Sequence, residues 1–224
     1  MVSTAECQCG IWTYSAMLSN ALQNIGLLPT ILGEYVFPDE RAIDKSFKII
    51  VPIKYCWRRT EPYMQLIEES KKYSIFHPQH QFGLYPNETN TIELYTKVKC
   101  PIITTLHDVI PPNPQMENYF RTIIDNSTKI IVHTQTCYEL LTRWNCPTSK
   151  IELIPHGTKL TEVPSKQEAR ETLKLPQNAK IILSWGFIWE SKGILDLVKI
   201  LVEVKKTYPE AIFIHAGGVH PIIQ

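Results

Sequence analysis

The first clear pattern along the chain is a helical one near the amino terminus. Apolar side chains recur there at intervals of three and four residues, which places them on one face of an α-helix. A glycine stands before this segment and another follows it, and the second is typical of a helix end. The pattern predicts a helix over residues 12–24, with an apolar face formed by Ile11, Tyr14, Leu18, Ala21, Leu22 and Ile25.

After this helix the pattern changes to short apolar runs that alternate with helical segments. The runs are apolar on both faces, as in strands of a parallel sheet that helices cover on both sides. The predicted strands cover residues 29–32, 47–51, 74–77, 102–106, 129–133 and 151–154. The predicted helices cover residues 63–72, 115–125 and 136–144. We therefore predict a doubly wound, Rossmann-like α/β domain over residues 1–158.

A second series of strands and helices begins after a linker at residues 159–179. Ser165 and Glu168 have the spacing of a capping box and predict a short helix in this linker. Beyond it, the pattern predicts a strand at residues 180–185, a helix at 194–206 and a strand at 211–216. Two strands and one helix are too few to bury such a sheet on both faces. Residues 180–224 are therefore expected to form a partial second Rossmann-like domain of a truncated or split protein.

Composition narrows the class of protein. Of the 224 residues, 44% are hydrophobic, which is enough for a buried core, and the formal net charge of +1 offers no basic surface for nucleic acid. No apolar run approaches the roughly 18 residues of a membrane span, and no export signal is recognisable, so we expect a cytoplasmic protein. In that compartment thiols are expected rather than disulfides at Cys7, Cys9, Cys56, Cys100, Cys137 and Cys146.

Loops at the carboxyl ends of the predicted strands hold the candidate functional residues, because ligands of open α/β sheets bind there. Gly10 opens the first helix, where free backbone N–H groups can meet a phosphate, although a plain tight turn explains it too. His107 follows the strand at residues 102–106, and a packing role explains it as well as a site does. His156 lies in a Pro-His-Gly segment that we interpret as a turn.

A glycine and a lysine follow the first strand of the second domain. Gly186 allows the backbone to turn sharply, and Lys192 precedes a helix whose amino terminus favours anions. This arrangement suits a diphosphate, and a solvated lysine explains it equally well. Ser191 and Gly193 depart from the Walker A loop. No G-x-G-x-x-G motif follows a strand, which disfavours an NAD-dependent oxidoreductase.

The spacing of cysteines and histidines does not predict a metal site. Cys7-x-Cys9 and His77-x-x-His80 each lack a second pair of ligands at the spacing that zinc sites show. Ordinary loop residues are the better explanation for both pairs. We therefore expect no bound metal ion.

Taken together, the loops resemble those of the retaining glycosyltransferases of family 4, which have the two-domain GT-B fold. Six segments match in order along the chain: VSTAECQCGIWTYSAML, HPQHQFGLY, TTLHDVIP, IIVHTQTCYELL, KIELIPHGT and ILSWGFIWESKG. In such enzymes the acceptor binds mainly to the first domain and the nucleotide-sugar to the second. The resemblance implies transfer of a sugar from a nucleotide-sugar donor to the hydroxyl of a carbohydrate or other acceptor, with retention of configuration and no further cofactor.

The resemblance also implies roles for individual residues. Gly10 would lie beside the donor diphosphate, and Lys192 would bind that diphosphate after the turn at Gly186. His107 is the predicted catalytic residue and would face the transferred sugar. His80 and Asp108, which belong to two of the matching loops, are the predicted substrate-binding residues.

Two features differ from the family pattern. Phe187 stands where many relatives carry an arginine, and the pair of glutamates that contacts the donor in relatives is absent from the 224 residues. The alternative hypothesis is therefore a non-catalytic product. It would bind an acceptor, a complementary carboxyl-terminal half or a second copy through the edge of its unfinished sheet.

Overall fold

A computed structural model describes residues 1–5, 9–34, 50–53 and 63–219. The chain divides into two compact units, Met1–Gly157 and Thr158–Gln224. The start of the strand predicted at residues 47–51 and the thiols predicted at Cys7 and Cys56 lie outside the described residues.

Parallel strands and connecting helices build the first unit. Its described strands are β1 (Val2–Ser3), β2 (Ile31–Glu34), β3 (Ile50–Ile53), β4 (Gln79–His80), β5 (Ile103–Leu106), β6 (Lys129–Val132) and β7 (Ile151–Leu153). Its described α-helices are α1 (Gly10–Asn24), α2 (Met64–Ser70), α3 (Glu88–Lys97), α4 (Glu117–Asn126) and α5 (Gln135–Arg143). Short 3₁₀ turns at Pro114–Met116 and Thr148–Lys150 precede α4 and β7.

The strands of the first unit form two parallel sheets, and β1 connects them through a bridge to Pro78, just before β4. Their orders are β1-β2-β3 and β4-β5-β6-β7. Val2 makes a parallel bridge with Pro78, and its N–H donates to the carbonyl oxygen of His77 at 2.9 Å. The strand order therefore reverses between β1 and β4. This is the doubly wound arrangement that the sequence predicts, and the reversal marks the point where such folds bind ligands.

Burial of apolar side chains explains why these segments form their elements. Helix α4 directs Tyr119, Phe120, Ile123 and Ile124 into the core, at the spacing of one helical face. Full burial of one such aliphatic or aromatic side chain contributes about 1.5–3 kcal/mol. The sheet and helix α4 thus share one core, which holds the loops at the strand ends in place.

Two elements of the first unit differ from the sequence-based prediction. Helix α3 was not predicted, because its buried face includes the polar residues Asn90 and Thr91 beside Leu94 and Tyr95. Strand β4 begins later than the predicted 74–77, since its pairing with β5 starts at Gln79. Within the predicted range, Phe76 makes an isolated bridge with Ile102.

The second unit contains helix α6 (Lys166–Thr172), strand β8 (Ile181–Trp185), helix α7 (Ile194–Thr207) and strand β9 (Ile212–Ala216). The predicted capping box is present: Ser165 Oγ accepts from the Glu168 N–H at 3.2 Å, and Glu168 Oε2 accepts from the Ser165 N–H at 2.8 Å. Strands β8 and β9 pair in parallel over five residues. Helix α7 is the crossover between them, as parallel pairing requires.

Two sequence-based expectations concern the chain as a whole. Within the described parts of the chain, none of the helices combines the length and the apolar character that a membrane crossing needs. Of the described cysteines, Cys100, Cys137 and Cys146 are free thiols, as expected.

Candidate functional site

Three histidines meet at the carboxyl ends of neighbouring strands in the first unit. His107 directly follows β5, His133 directly follows β6, and His156 lies three residues after β7. Because β5, β6 and β7 are adjacent and parallel, their ends lie at the same edge of the sheet. One ring nitrogen from each histidine lies within 4.8 Å of the other two. We call these three residues the histidine cluster.

The imidazole rings of the histidine cluster contact one another and one tyrosine. The rings of His133 and His156 stack with their centroids 3.8 Å apart, and the centroids of His107 and His133 are 5.4 Å apart. Tyr14 of helix α1 presents its ring to all three, with centroid distances of 5.0, 5.1 and 5.4 Å. Helix α1 therefore closes one side of the cluster.

Hydrogen bonds fix the tautomer of two histidines in the cluster. The Gln79 amide nitrogen donates to Nε2 of His77 at 3.2 Å, so its Oε1 accepts from Nε2–H of His107 at 3.0 Å. Nδ1–H of His133 donates to the carbonyl oxygen of Ile154 at 2.8 Å. Nδ1 of His107 and Nε2 of His133 then carry the lone pairs. Among the described residues, Nε2 of His133 is buried without a hydrogen-bond partner.

The surroundings of His107 and His133 favour the uncharged form of both imidazoles. Burial, together with the neighbouring imidazoles of His133 and His156, lowers the pKa of His107 to about 4. Burial also lowers the pKa of His133. A neutral imidazole offers a lone pair on one ring nitrogen and a proton on the other. The site can therefore accept a hydrogen bond from a hydroxyl group or bind a metal ion.

His80 has a different environment from the histidine cluster. Its side chain is fully buried, Nε2 bonds to the hydroxyl of Tyr119, and its ring stacks on Tyr85 with centroids 5.2 Å apart. Burial lowers the pKa of His80 to about 3, and the nearby His107 contributes to the shift. Direct contact with a substrate requires exposed ring atoms, and His80 has none. Its place is in the core, where it supports the end of β4.

Gly10 and Asp108 lie in the loops that the sequence singled out. Gly10 is exposed at the start of α1, and a Cβ there would meet nothing within 4 Å. The N-cap residue Cys9 makes no side-chain capping bond, and the first turn has no acidic residue. Asp108 follows His107 and accepts at Oδ1 from the N–H of Ile110 at 3.1 Å. The structure shows no need for glycine at position 10, whereas the Asp108 carboxylate stabilises the turn that follows it.

The second unit has its own glycine-rich strand ends. Gly186 follows β8 with φ +106°, and its N–H donates to the Ala216 carbonyl at 3.0 Å. Lys192 ends a 3₁₀ turn, Glu190–Lys192, and Gly193 then adopts a left-handed conformation with φ +64° as the N-cap of α7. The side chain of Lys192 is exposed, and no other described residue forms an ion pair with it. Lys192 thus precedes the amino terminus of α7 in the chain with an exposed side chain.

Sequence reasoning selected His107 but missed most of its neighbours. His133 and His156 are 26 and 49 residues further along the chain, and His156 was interpreted as part of a turn. The missed signal was a histidine at or just after the end of each of three consecutive predicted strands. Tyr14 and Gln79 carried no signal, since one belongs to an apolar helix face and the other to a strand.

No model of a known protein family matches the chain, and comparison with curated proteins finds no relative. Solved structures do match. HepE from Anabaena in complex with UDP and glucose has a TM-score of 0.65 at 11% identity. Sucrose-phosphate synthase from Thermosynechococcus elongatus has 0.68 at 19%, and a glycosyltransferase from Rickettsia africae has 0.62 at 17%.

These matches extend over 98%, 99% and 96% of this chain, respectively. The chain in turn spans 60%, 62% and 67% of the length of those structures. At such low identity the likeness establishes the fold alone. The fold is of the GT-B type, as the sequence predicts, with parallel Rossmann-like sheets.

Proposed function

We propose that the chain is a glycosyltransferase that moves a sugar from a UDP-sugar donor to an acceptor hydroxyl. The observation that carries this proposal is the structural likeness across nearly the whole chain to HepE, which was solved with UDP and glucose and with UDP-glucose. The similarity to a sucrose-phosphate synthase and to a further glycosyltransferase supports the same class. The chain spans only part of those proteins. The UDP-sugar donor and the hydroxyl acceptor are therefore proposed for this chain.

Membership of family 4 and retention of configuration are the finer parts of the proposal. They rest on six sequence segments in family order, and three of these segments supply His107, His133 and His156. The structure brings these three histidines together at one sheet edge, beside helix α1. Their convergence supports the interpretation of these segments as parts of one site rather than as separate turns.

His107 is the proposed contact to the transferred sugar. Its Nε2–H donates to Gln79, so Nδ1 is left to accept a hydrogen bond from a sugar hydroxyl. Its lowered pKa keeps it neutral, and it therefore positions the sugar rather than supplying positive charge. Asp108, on the same loop, is a second proposed substrate contact.

Lys192 is the proposed ligand of the donor diphosphate. Departure of the nucleoside diphosphate places negative charge on its terminal phosphate, and a cation there stabilises the transition state. The side chain of Lys192 is exposed, and the residue directly precedes Gly193, the N-cap of α7, which makes no side-chain capping bond. Gly186 gives the loop its turn at φ +106°. Gly10, in the first unit, is proposed separately as a phosphate contact through its exposed backbone.

A calorimetric titration with nucleoside diphosphates and their sugars tests the function. We expect UDP to bind, UDP-glucose to bind at least as well, and uridine to bind far more weakly because it lacks the diphosphate. The variant His107→Gln should keep the affinity for UDP and lose the added affinity for the sugar. The matched control His215→Gln, in the second unit, should change neither affinity. Failure of every nucleoside diphosphate and nucleotide-sugar to bind would overturn the proposal.

A further inference from the structure

The histidine cluster has the composition of a metal site, and its ring nitrogens lie close together. One nitrogen from each of His107, His133 and His156 lies within 4.8 Å of the other two. Neutral imidazole is a preferred ligand of Zn²⁺ and similar ions, and three histidines with one open position are a common zinc ligand set. We propose that these three histidines bind one divalent transition metal ion, of which Zn²⁺ fits best.

The hydrogen bonds of the cluster leave lone pairs for the ion. Nε2–H of His107 is directed to Gln79, which leaves Nδ1 as its basic nitrogen. Nδ1–H of His133 is directed to the carbonyl oxygen of Ile154, which leaves Nε2. That Nε2 atom is buried and has no hydrogen-bond partner among the described residues. A buried nitrogen without a partner is unfavourable, and coordination to an ion would remove this cost.

The groups that hold the two rings match the outer shell of known metal sites. Metal-binding histidines usually donate their second N–H to a carbonyl or carboxylate oxygen, which fixes the tautomer and orients the ring. Here the acceptors are the Gln79 amide oxygen, which is fully buried, and the Ile154 backbone. Gln79 belongs to β4, and Ile154 directly follows β7. The two imidazoles are therefore held by residues of the β4-β5-β6-β7 sheet or next to it.

The third histidine can complete the site by a small movement. A tetrahedral zinc ion with Zn–N distances of about 2.0–2.1 Å separates its ligand nitrogens by about 3.3 Å. His156 lies in the exposed segment after β7, and its ring, which stacks on that of His133, would turn out of this stack to bring its nitrogen to the ion. The fourth position would face away from the three rings and take a water molecule.

This proposal departs from the sequence-based expectation of no metal. That expectation considered ligand pairs close in sequence, whereas these three histidines are separated by 26 and 23 residues. The inference does not depend on the proposed sugar transfer, because it concerns binding of the ion alone. A sugar hydroxyl and the ion would be alternative partners for Nδ1 of His107.

Titration with Co²⁺, followed by its visible absorption, tests the proposal on the full chain after treatment with a chelator. We expect one Co²⁺ per chain, displacement by one Zn²⁺, and no near-ultraviolet band from thiolate ligands. The variants His133→Gln and His156→Gln should each weaken binding by more than about 10-fold. His215→Gln, which removes a histidine outside the cluster, should bind like the unmodified chain.

His156→Gln keeps the test decisive, since this exposed side chain contributes little to the core, and circular dichroism can verify that the variant is folded. Three results would each overturn the proposal. They are the absence of binding by the unmodified chain, unchanged binding in His156→Gln or His133→Gln, and a spectrum dominated by thiolate coordination.

Discussion

At the scale of single residues, the histidines of the first unit divide by environment rather than by sequence context. His80 ends β4 and His107 follows β5, yet His80 is enclosed by Tyr119 and Tyr85 while His107 reaches the sheet edge. Burial lowers the pKa of both imidazoles. Of these two residues, His107 lies with two further histidines at the sheet edge, and it is the one with a proposed chemical role.

Burial of His80 predicts that the fold loses stability in acid. Its folded pKa is about 3, against about 6.5 when unfolded, so between these values only the unfolded chain binds the proton. The free energy of unfolding should therefore fall as the pH drops below 6.5, by about 1.4 kcal/mol per pH unit for this group. Urea unfolding at pH 7.5 and 5.5 measures the slope.

The variant His80→Gln is the control for this pH effect. It cannot be protonated, so the difference in unfolding free energy between the two pH values should be smaller than in the unmodified chain. A variant that is less stable at both pH values can still be compared, because the test uses the difference between its two unfolding free energies. An equal difference in the two proteins would show that His80 does not carry the effect.

The candidate site was only partly predictable at the residue scale. His107 was recognisable because it follows a strongly apolar strand, and the position after such a strand is a general ligand site. His133 and His156 become neighbours only through the register of β6 with β7, where Val132 pairs with Leu153. That register depends on tertiary packing, which a reading of local pattern does not include.

At the scale of elements, most strands and helices were predictable from periodicity, and the exceptions have physical causes. Helix α7, at Ile194–Thr207, agrees closely with the predicted 194–206 because its apolar positions recur at helical spacing. Helix α3 was missed because its buried face includes Asn90 and Thr91. Thr91 reaches the backbone carbonyl of Asn87 through its hydroxyl at 2.9 Å, so the helix itself satisfies this buried polar group.

The ends of β8 and β9 make a sharp prediction about two adjacent glycines. A Cβ at Gly217 would lie 1.9 Å from the carbonyl oxygen of Gly186, whereas one at Gly218 would meet nothing within 4 Å. Gly217→Ala must therefore move backbone at the point where Gly186 bonds to Ala216, and should cost about 1–3 kcal/mol. Gly218→Ala should cost much less.

Thermal unfolding of the two alanine variants provides the measurement. Hydrogen exchange of the amides in β8 and β9 adds the local readout, because the strain lies in the second unit. If both variants behave alike, the close approach of Gly217 to Gly186 does not exist in solution.

At the scale of the whole molecule, the second unit exposes an unusual amount of apolar surface. Trp185 at the end of β8 is 79% exposed, and Leu195 and Val202 of α7 are 68% and 62% exposed. Exposed apolar patches of this kind mark contact surfaces or promote association.

The cytoplasmic location expected from the sequence stays a prediction.

These exposed side chains predict that the chain associates with itself as its concentration rises. Sedimentation velocity over a wide concentration range should show a growing share of dimers or larger species. Leu195→Glu should reduce that share, because a charge on the exposed face of α7 opposes burial. The variant leaves the buried Arg170 unchanged. Its bond to the Ala179 carbonyl at 2.9 Å helps to hold the second unit together. A monomer at every concentration would contradict the prediction.

The central claim, that this GT-B chain binds a nucleotide-sugar through its diphosphate, is tested most directly by UDP affinity in a pair of lysine variants. Lys192 precedes α7 and forms no ion pair with any residue that the structure describes, whereas Lys199 within α7 bonds to Asp196 at 3.1 Å. We predict that Lys192→Ala weakens UDP binding by about 10-fold or more, the scale of one lost hydrogen bond to a charged group. Lys199→Ala should leave the affinity unchanged. Equal affinities in the two variants, or no measurable binding of UDP by the unmodified chain, would contradict the account.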